Sequence, residues 1–316
     1  IDAGALITCG RVAETKHAEL ALHIAAETYS IRYVCAFGSE VPDGIVPLDD
    51  IWTDGATASE PQTVTAAADT AVITFDIGSH GPAPVARTHT ELMVGGLAAV
   101  LETGLPHQAA ILGTMLPSSF AVLASTIVPW LLSGGTLALH HPFDLDSFAR
   151  QIAQSPAALA VLPGPLVSKL ADAGAIGTAP AKISAIWRAP EQQRLSPPWR
   201  GPAPLVDVLA FGEVALLPLR RGADGHPATL LAGSQKAPST AADAAVLMTL
   251  ARTDMGTLAV GGPMVPRALR SRPEQATEMV DTGYSCKIDP QNNLLIIEAR
   301  TAPADGGAFA GRAASA

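Results

Sequence analysis

Short apolar runs alternate with longer helix-like stretches over residues 5–211, and this alternation constrains the fold more than any other feature. Strands buried in a parallel sheet read as continuous apolar runs, whereas the helices between them show a helical period. We therefore predict an α/β fold with a mostly parallel sheet and helices on both faces. The predicted strands are residues 5–9, 32–37, 70–75, 109–115, 136–139, 157–162, 183–187 and 205–211, and the predicted helices are 16–29, 88–102, 121–132, 144–154 and 165–173.

The pattern changes after residue 212, where short β-like runs are separated by Gly/Pro turns. These runs predict a mostly β module, and they lie at residues 215–219, 228–232, 256–261 and 294–299. We expect four segments along the chain: the remainder of a first α/β subdomain (1–69), an α/β subdomain core (70–212), the β module (213–300) and a flexible tail (301–316). A loop is expected at residues 53–69.

The start of one helix is marked clearly. Thr88 followed three residues later by Glu91 has the spacing of a capping box. Before it, residues 76–84 are rich in glycine and proline, and we predict a broken turn there.

The composition excludes several classes of protein. Hydrophobic residues make up 48% of the chain and charged residues 16%, which excludes intrinsic disorder. The formal net charge is −9 and no Lys/Arg cluster is present, so we expect no nucleic-acid partner. Residues 103–143 carry no formal charge, but Pro129 and Gly134 are among the residues that divide this run into pieces too short to cross a membrane. We therefore predict no membrane span.

The three cysteines, Cys9, Cys35 and Cys286, are odd in number and lack metal-ligand spacing. This pattern favours a reducing, cytoplasmic location over a disulfide framework, and no metal site is predicted. The sequence also lacks a G-x-S-x-G elbow, a G-x-G-x-x-G turn after a strand and a Walker loop. The doublet of His140 and His141 follows a predicted strand, and we interpret it as two ordinary strand-end residues.

Residues 74–89 read T-F-D-I-G-S-H-G-P-A-P-V-A-R-T-H. This segment resembles the phosphate loop of the adenylate-forming superfamily, which comprises acyl- and aryl-CoA synthetases, peptide-synthetase adenylation domains and luciferases. In that family a strand leads into a Ser/Thr/Gly-rich turn, a Pro-Lys-Gly and a His-Thr-His that opens a helix.

Six later segments resemble family motifs in the family's order. They are the helix-to-strand turn at 131–139, the helix–strand–helix at 143–170, the turn A-F-G-E-V-A at 210–215, the strand G-T-L-A-V-G-G-P at 256–263, the run D-T-G-Y-S-C-K-I-D at 281–289 and the hinge strand L-I-I-E-A-R at 295–300. The resemblance implies layered α-β-α subdomains with mostly parallel sheets and a small distorted β-barrel. We expect the family's C-terminal lid domain to be absent.

In the family, a carboxylate attacks the α-phosphorus of ATP, and a thiol then takes the acyl group from the adenylate. Several residues of this chain depart from that machinery. Ala83 or Pro84 stands where the family has its phosphate-loop lysine, and Tyr284 replaces the aspartate that binds ribose. Asp76 adds negative charge to the loop.

The departures continue in the turn after the last predicted strand of the α/β core. Val214 and Ala215 replace the polar pair of the family turn, and Glu213 lies one or two positions out of register. Arg188 stands where a glycine pair is expected.

The resemblance assigns a vestigial nucleotide site and an acyl pocket to particular positions. The nucleotide-site residues are Gly78, Ser79, His80, Gly81, Phe211, Gly212, Glu213, Thr282, Tyr284 and Arg300, and the acyl-pocket candidates are Ser118, Ser119 and Arg188. No residue retains a complete catalytic role. We expect a degenerate adenylation core that is not competent for normal ATP chemistry, with an acyl or nucleotide-like small molecule as its partner and a homodimer as its assembly.

Two alternatives remain open. The chain is an active acyl- or aryl-CoA ligase if Glu213, Arg87 and His80 replace the missing groups, and ATP, magnesium and coenzyme A are then its cofactors. It is a non-catalytic interaction subunit if side chains fill the cleft. An open cavity between residues 76–84 and the turn at Phe211 would argue against a filled cleft.

Overall fold

A computed structural model describes residues 2–12, 14–38, 41–49, 65–78, 81–154, 157–177, 180–238, 244–275 and 277–298. The chain forms two compact units, Ile1–Val64 and Thr65–Ala316. The predicted tail at 301–316 and most of the predicted loop at 53–69 lie outside the described residues.

The first unit is a small α/β element with its own core. Strands β1 (Ala5–Cys9), β2 (Tyr33–Phe37) and β3 (Val46–Pro47) form a parallel sheet in that order, and α1 (His17–Glu27) connects the first two. Small and branched apolar side chains fill the space between helix and sheet, namely Ala18, Ala21, Val34, Ala36 and Ile45.

The second unit is built on a six-stranded sheet. Its order is β11-β10-β9-β8-β6-β7, and all neighbours are parallel except β10 and β11, which form an antiparallel pair. The strands are β6 (Ala110–Gly113), β7 (Thr136–Leu139), β8 (Leu159–Pro163), β9 (Ile183–Trp187), β10 (Leu205–Phe211) and β11 (Ala215–Arg220). Every residue of β9 and β10 is buried, as expected for central strands.

Helices connect these strands, and most of them pack against the sheet. They are α2 (His89–Thr103), α3 (Phe120–Ser125), α4 (Ile127–Ser133), α5 (Leu145–Gln154), α6 (Gly164–Asp172) and α7 (Pro190–Gln193). The capping box at Thr88 and Glu91 is confirmed, since each side chain accepts from the other residue's backbone N–H. The single helix predicted at 121–132 is wrong. The chain breaks at Thr126, and Pro129 lacks the N–H that would bond to the carbonyl of Ser125.

The C-terminal part forms a five-stranded antiparallel half-barrel in the order β12 to β16. Its strands are β12 (Gly233–Lys236), β13 (Val246–Arg252), β14 (Thr257–Gly261), β15 (Val280–Ile288) and β16 (Leu294–Glu298). The run predicted at 228–232 contributes only an isolated bridge from Leu231 to Asn293. One continuous core contains side chains from both sides of the predicted boundary at residue 212, so the two predicted segments share their hydrophobic interior.

Residues 76–84 are not the broken turn that their composition predicts. Strands β4 (Thr70–Gly78) and β5 (Gly81–Thr88) form an antiparallel hairpin that stays paired as far as Gly78 and Gly81. Pro82 and Pro84 are two residues apart on a strand of a two-stranded sheet. Their missing N–H groups therefore point to the same side, and the pairing with β4 tolerates both.

No helix in the described ranges has the length and apolarity that crossing a membrane requires. The uncharged run at 103–143 instead supplies β6, α3, α4 and β7, as its interruptions predict.

Candidate functional site

A cavity of ≈330 Å³ opens between the β4–β5 hairpin and the turn after β10. It lies beyond the carboxyl ends of the parallel strands β9 and β10, the edge at which α/β sheets bind ligands. The residues that line it are Phe75, Asp76, Ile77, Ser118, Ser119, Ala121, Arg188, Ala189, Glu191, Ala210, Gly212, Glu213 and Tyr284.

The turn after β10 places Glu213 beneath the hairpin. Gly212 adopts φ of 57°, a left-handed conformation that favours glycine, and the chain reverses there into β11. Glu213 is only 5% exposed. One of its carboxylate oxygens, Oε2, accepts hydrogen bonds from the Thr74 hydroxyl at 2.6 Å and from the Phe120 N–H at 2.8 Å. The carboxylate thus fixes the hairpin and α3 to the end of β10.

Arg87 lies close to this carboxylate but does not line the cavity. Its side chain is fully buried, and it donates to the backbone carbonyls of Glu213, at 2.6 Å, and of Met264. Its guanidinium carbon stands 3.4 Å from the centre of the Phe120 ring, a cation–π contact. Arg87 therefore joins β5, α3 and the β10–β11 turn from inside the protein.

Burial shifts the pKa values of both groups. It lowers the pKa of Arg87 to about 9, although the charges of Glu213 and Glu91 act in the opposite direction. It raises the pKa of Glu213, although the bonds from Thr74 and Phe120 and the charge of Arg87 favour the ionised form. The two charges stabilise each other in an environment that disfavours each of them alone.

A buried ion pair supports another part of the cavity lining. Asp207 in β10 pairs with Arg221 at 2.9 Å, and their side chains are 0% and 5% exposed. The same carboxylate accepts from the indole of Trp187 at 2.8 Å and the amide of Gln193 at 2.9 Å. Because these partners flank residues 188–191, the network holds the cavity-lining segment between β9 and α7 in place.

Two long contacts connect the cavity walls. Tyr284 in β15 donates its hydroxyl to the carbonyl of Arg188 at 3.4 Å, and the Arg188 guanidinium donates to the Ser119 hydroxyl at 3.4 Å. The Tyr284 ring also packs edge-on against Phe211.

The structure brings six of the sequence-predicted residues to one cavity: Ser118, Ser119, Arg188, Gly212, Glu213 and Tyr284. Phe211 and Thr282 do not line it. Phe211 is fully buried in the core, and the Thr282 hydroxyl donates to the carbonyl of Leu258 at 2.7 Å. Gly78 and Gly81 end the paired part of the hairpin, and Ser79, His80 and Arg300 lie outside the described residues.

Sequence reasoning missed Glu191 and the apolar lining residues Phe75, Ile77 and Ala210. Glu191 lies in the short helix α7, directly after the buried strand β9. A polar residue just beyond the carboxyl end of a central strand is the signal that could have identified it.

Comparison with known proteins identifies this architecture. No protein-family model matches the sequence, and no curated protein matches it either. Solved structures do resemble it. The N-terminal subdomain of NpsA from Klebsiella oxytoca, in complex with 3-hydroxyanthranilyl-AMSN, is 19% identical, with 89% of this chain and 76% of that one covered and a TM-score of 0.57.

Two CoA ligases have a similar fold. A putative long-chain-fatty-acid CoA ligase from Rhodopseudomonas palustris is 14% identical, with 94% of this chain and 74% of that one covered and a TM-score of 0.62. A malonyl-CoA ligase with methylmalonyl-CoA and AMP bound is 15% identical, with coverage of 95% and 72% and a TM-score of 0.57. The chain has the fold of the N-terminal subdomain of adenylate-forming enzymes.

Proposed function

We propose that this chain is a small-molecule-binding domain on the adenylation fold that does not carry out ATP-dependent carboxylate activation. The observation that supports this most strongly is the position of Glu213. Its carboxylate oxygen Oε2 already accepts from Thr74 and Phe120, and its backbone carbonyl accepts from Arg87. A Mg²⁺ ion bound at Oε2 would have to compete with these donors for the same oxygen.

The hairpin supports the same proposal. A loop that binds phosphates presents several backbone N–H groups in a concave arrangement. Here β4 and β5 stay paired up to Gly78 and Gly81, which leaves two residues between the paired strands. Ala83 and Pro84, at the position of the family's lysine, both lie in β5 and supply no cation.

The surviving cavity favours ligand binding over a filled cleft. Its volume of ≈330 Å³ falls at the lower end of the range of small-molecule sites, about 300–1,000 Å³. The acyl-pocket candidates Ser118, Ser119 and Arg188 all line it. The active-ligase alternative needs Arg87 at the ligand, whereas this side chain is fully buried and its two donated bonds go to backbone carbonyls.

Pyrophosphate release tests the proposal. The purified protein is incubated with MgATP and a panel of aliphatic and aromatic carboxylates, with and without coenzyme A, beside an active acyl-CoA ligase as the positive control. We expect no release above background from this chain, because loss of a single preorganised stabiliser commonly lowers a rate by about 10²–10³. Robust carboxylate-dependent release would refute the proposal.

A further inference from the structure

The charges on the cavity wall limit what the cavity accommodates. Of the described residues that line it, three carry carboxylates, Asp76, Glu191 and Glu213, and one carries a cation, Arg188. The formal charge of this lining is therefore −2 when all four groups are ionised, and the buried Arg87 guanidinium near Glu213 offsets one of the negative charges. A carboxylate or phosphate ligand would enter against this charge.

Arg188 offsets the acids only in part. Its side chain is exposed, so solvent screens its charge. Its guanidinium already donates to the Ser119 hydroxyl, and its backbone carbonyl accepts from Tyr284. Glu213 is held inside the protein, where the neighbouring charge of Arg87 partly offsets its own.

The rest of the lining suits an apolar or aromatic body. Phe75 and Tyr284 contribute aromatic rings, and the faces of such rings attract cations. The hydroxyl groups of Ser118 and Ser119 supply hydrogen-bond acceptors for an ammonium. The small side chains of three alanines, Ala121, Ala189 and Ala210, leave room for a ring.

We infer that the cavity binds a small organic cation, a primary amine on an apolar or aromatic body, in preference to a carboxylate. This inference rests on the proposed function in one respect only, that the cavity is the ligand site. The ammonium lies among the carboxylates of Asp76 and Glu191, and the apolar body contacts Phe75 and the alanines.

Benzylamine and benzoate form a probe pair of similar size and opposite charge. Binding of each to the full chain is measured by calorimetry, and by NMR of the protein at low ionic strength. We expect benzylamine to bind at least about tenfold more tightly than benzoate. A factor of ten in affinity corresponds to 1.4 kcal/mol, and the interaction between charges a few ångströms apart at a partly buried site is larger than this. Equal binding, a preference for benzoate, or no binding of benzylamine would overturn the inference.

Variants locate the site. Glu191→Gln and Asp76→Asn should each weaken benzylamine binding several-fold, whereas Glu274→Gln, which removes an exposed acid outside the cavity lining, should not. Arg188→Gln should strengthen benzylamine binding and weaken that of benzoate. Such opposite shifts come from a charge at the ligand and not from a general loss of structure. If Glu274→Gln weakens binding as much as Glu191→Gln does, the ammonium is not in this cavity and the inference fails.

This test is separate from that of the proposed function. A preference for benzoate without pyrophosphate release overturns the charge assignment and leaves the proposed function standing. Carboxylate-dependent pyrophosphate release overturns the proposed function whichever probe binds.

Discussion

The Thr74 hydroxyl donates a 2.6 Å hydrogen bond to Oε2 of Glu213, a residue 139 positions further along the chain. The backbone N–H of Phe120 donates to the same oxygen at 2.8 Å. A single acceptor atom therefore joins the hairpin, the start of α3 and the turn after β10. Because one carbonyl oxygen also has two lone pairs, an amide in place of the carboxylate can accept both bonds.

Replacement of Glu213 separates its structural role from its charge. We expect Glu213→Ala to lower the free energy of unfolding by about 1–3 kcal/mol, because it leaves the donors of Thr74 and Phe120 buried without an acceptor. Glu213→Gln should cost less, since it keeps the acceptor and removes a desolvated charge. Urea unfolding of the three proteins measures both changes. An alanine variant as stable as the glutamine variant would show that this oxygen does not join the three segments.

The buried Glu213 carboxylate makes the free energy of unfolding depend on pH with a defined sign. Burial raises the folded-state pKa of Glu213 above its unfolded value of about 4.3. The cost of the buried charge is therefore fully present above the folded pKa and is relieved as the pH falls through it. Relative to Glu213→Gln, the wild-type protein should gain stability as the pH falls from 7 towards the unfolded pKa of about 4.3. A constant or growing deficit over this range would contradict the assignment.

Arg87 is expected to tolerate no other cation. Lysine keeps the charge but lacks the planar fork that donates to two carbonyls while it covers the Phe120 ring. We expect Arg87→Lys to cost about 1–3 kcal/mol in the free energy of unfolding. Arg87→Ala should cost about 3–5 kcal/mol, because it removes a fully buried side chain that packs on the Phe120 ring and leaves the carbonyls of Glu213 and Met264 without their donor. The control Arg150→Lys, on the exposed side of α5, should change stability by less than about 0.5 kcal/mol.

Local signals in the sequence predict most of the α/β core. Thr88 and Glu91 mark the start of α2 because a capping box needs only four consecutive residues. The fully apolar runs of β9 and β10 likewise identify central strands without any tertiary information. Such patterns also predict the mixed α/β fold and the mostly β content beyond residue 212, but they wrongly place the run at 215–219 in the β module, since it forms β11 of the six-stranded sheet.

Other features depend on partners that are distant in the chain. The hairpin at 76–84 has the composition of a turn, and only pairing with β4 makes residues 81–84 a strand. The bond from Thr74 to Glu213 spans too much sequence for any local pattern to reveal it. Phe211 is aromatic at the expected position, but it packs inward because β10 is buried on both faces. The homodimer stays a prediction.

Asp207 supports the cavity wall as well as the core. Asp207→Ala leaves Arg221 charged and buried and removes the acceptor of Trp187 and Gln193, so we expect a loss of about 3–5 kcal/mol in the free energy of unfolding. The exposed control Asp254→Ala should be nearly neutral. Denaturant unfolding of both variants checks this difference, and an Asp207→Ala variant as stable as the control would contradict it.

Gly96 in α2 is expected to resist substitution despite the low helix propensity of glycine. A Cβ atom there would lie 2.0 Å from Cγ1 of Val128 in α4. Alanine gains about 1 kcal/mol in helix propensity, whereas overpacking costs about 1–3 kcal/mol, so we expect net destabilisation of Gly96→Ala. Val128→Ala in the same chain should recover part of the loss. A double-mutant cycle in thermal unfolding measures this coupling, and strictly additive effects would argue against the contact.

Because we propose that the chain does not carry out ATP-dependent activation, we expect it not to hold MgATP. Isothermal titration calorimetry of MgATP into the purified protein tests it most directly, with an active acyl-CoA ligase titrated in parallel. We expect no saturable heat for this chain at millimolar nucleotide. Any saturable isotherm would contradict this expectation, and its loss in Glu213→Gln would show that Glu213 ligates the metal.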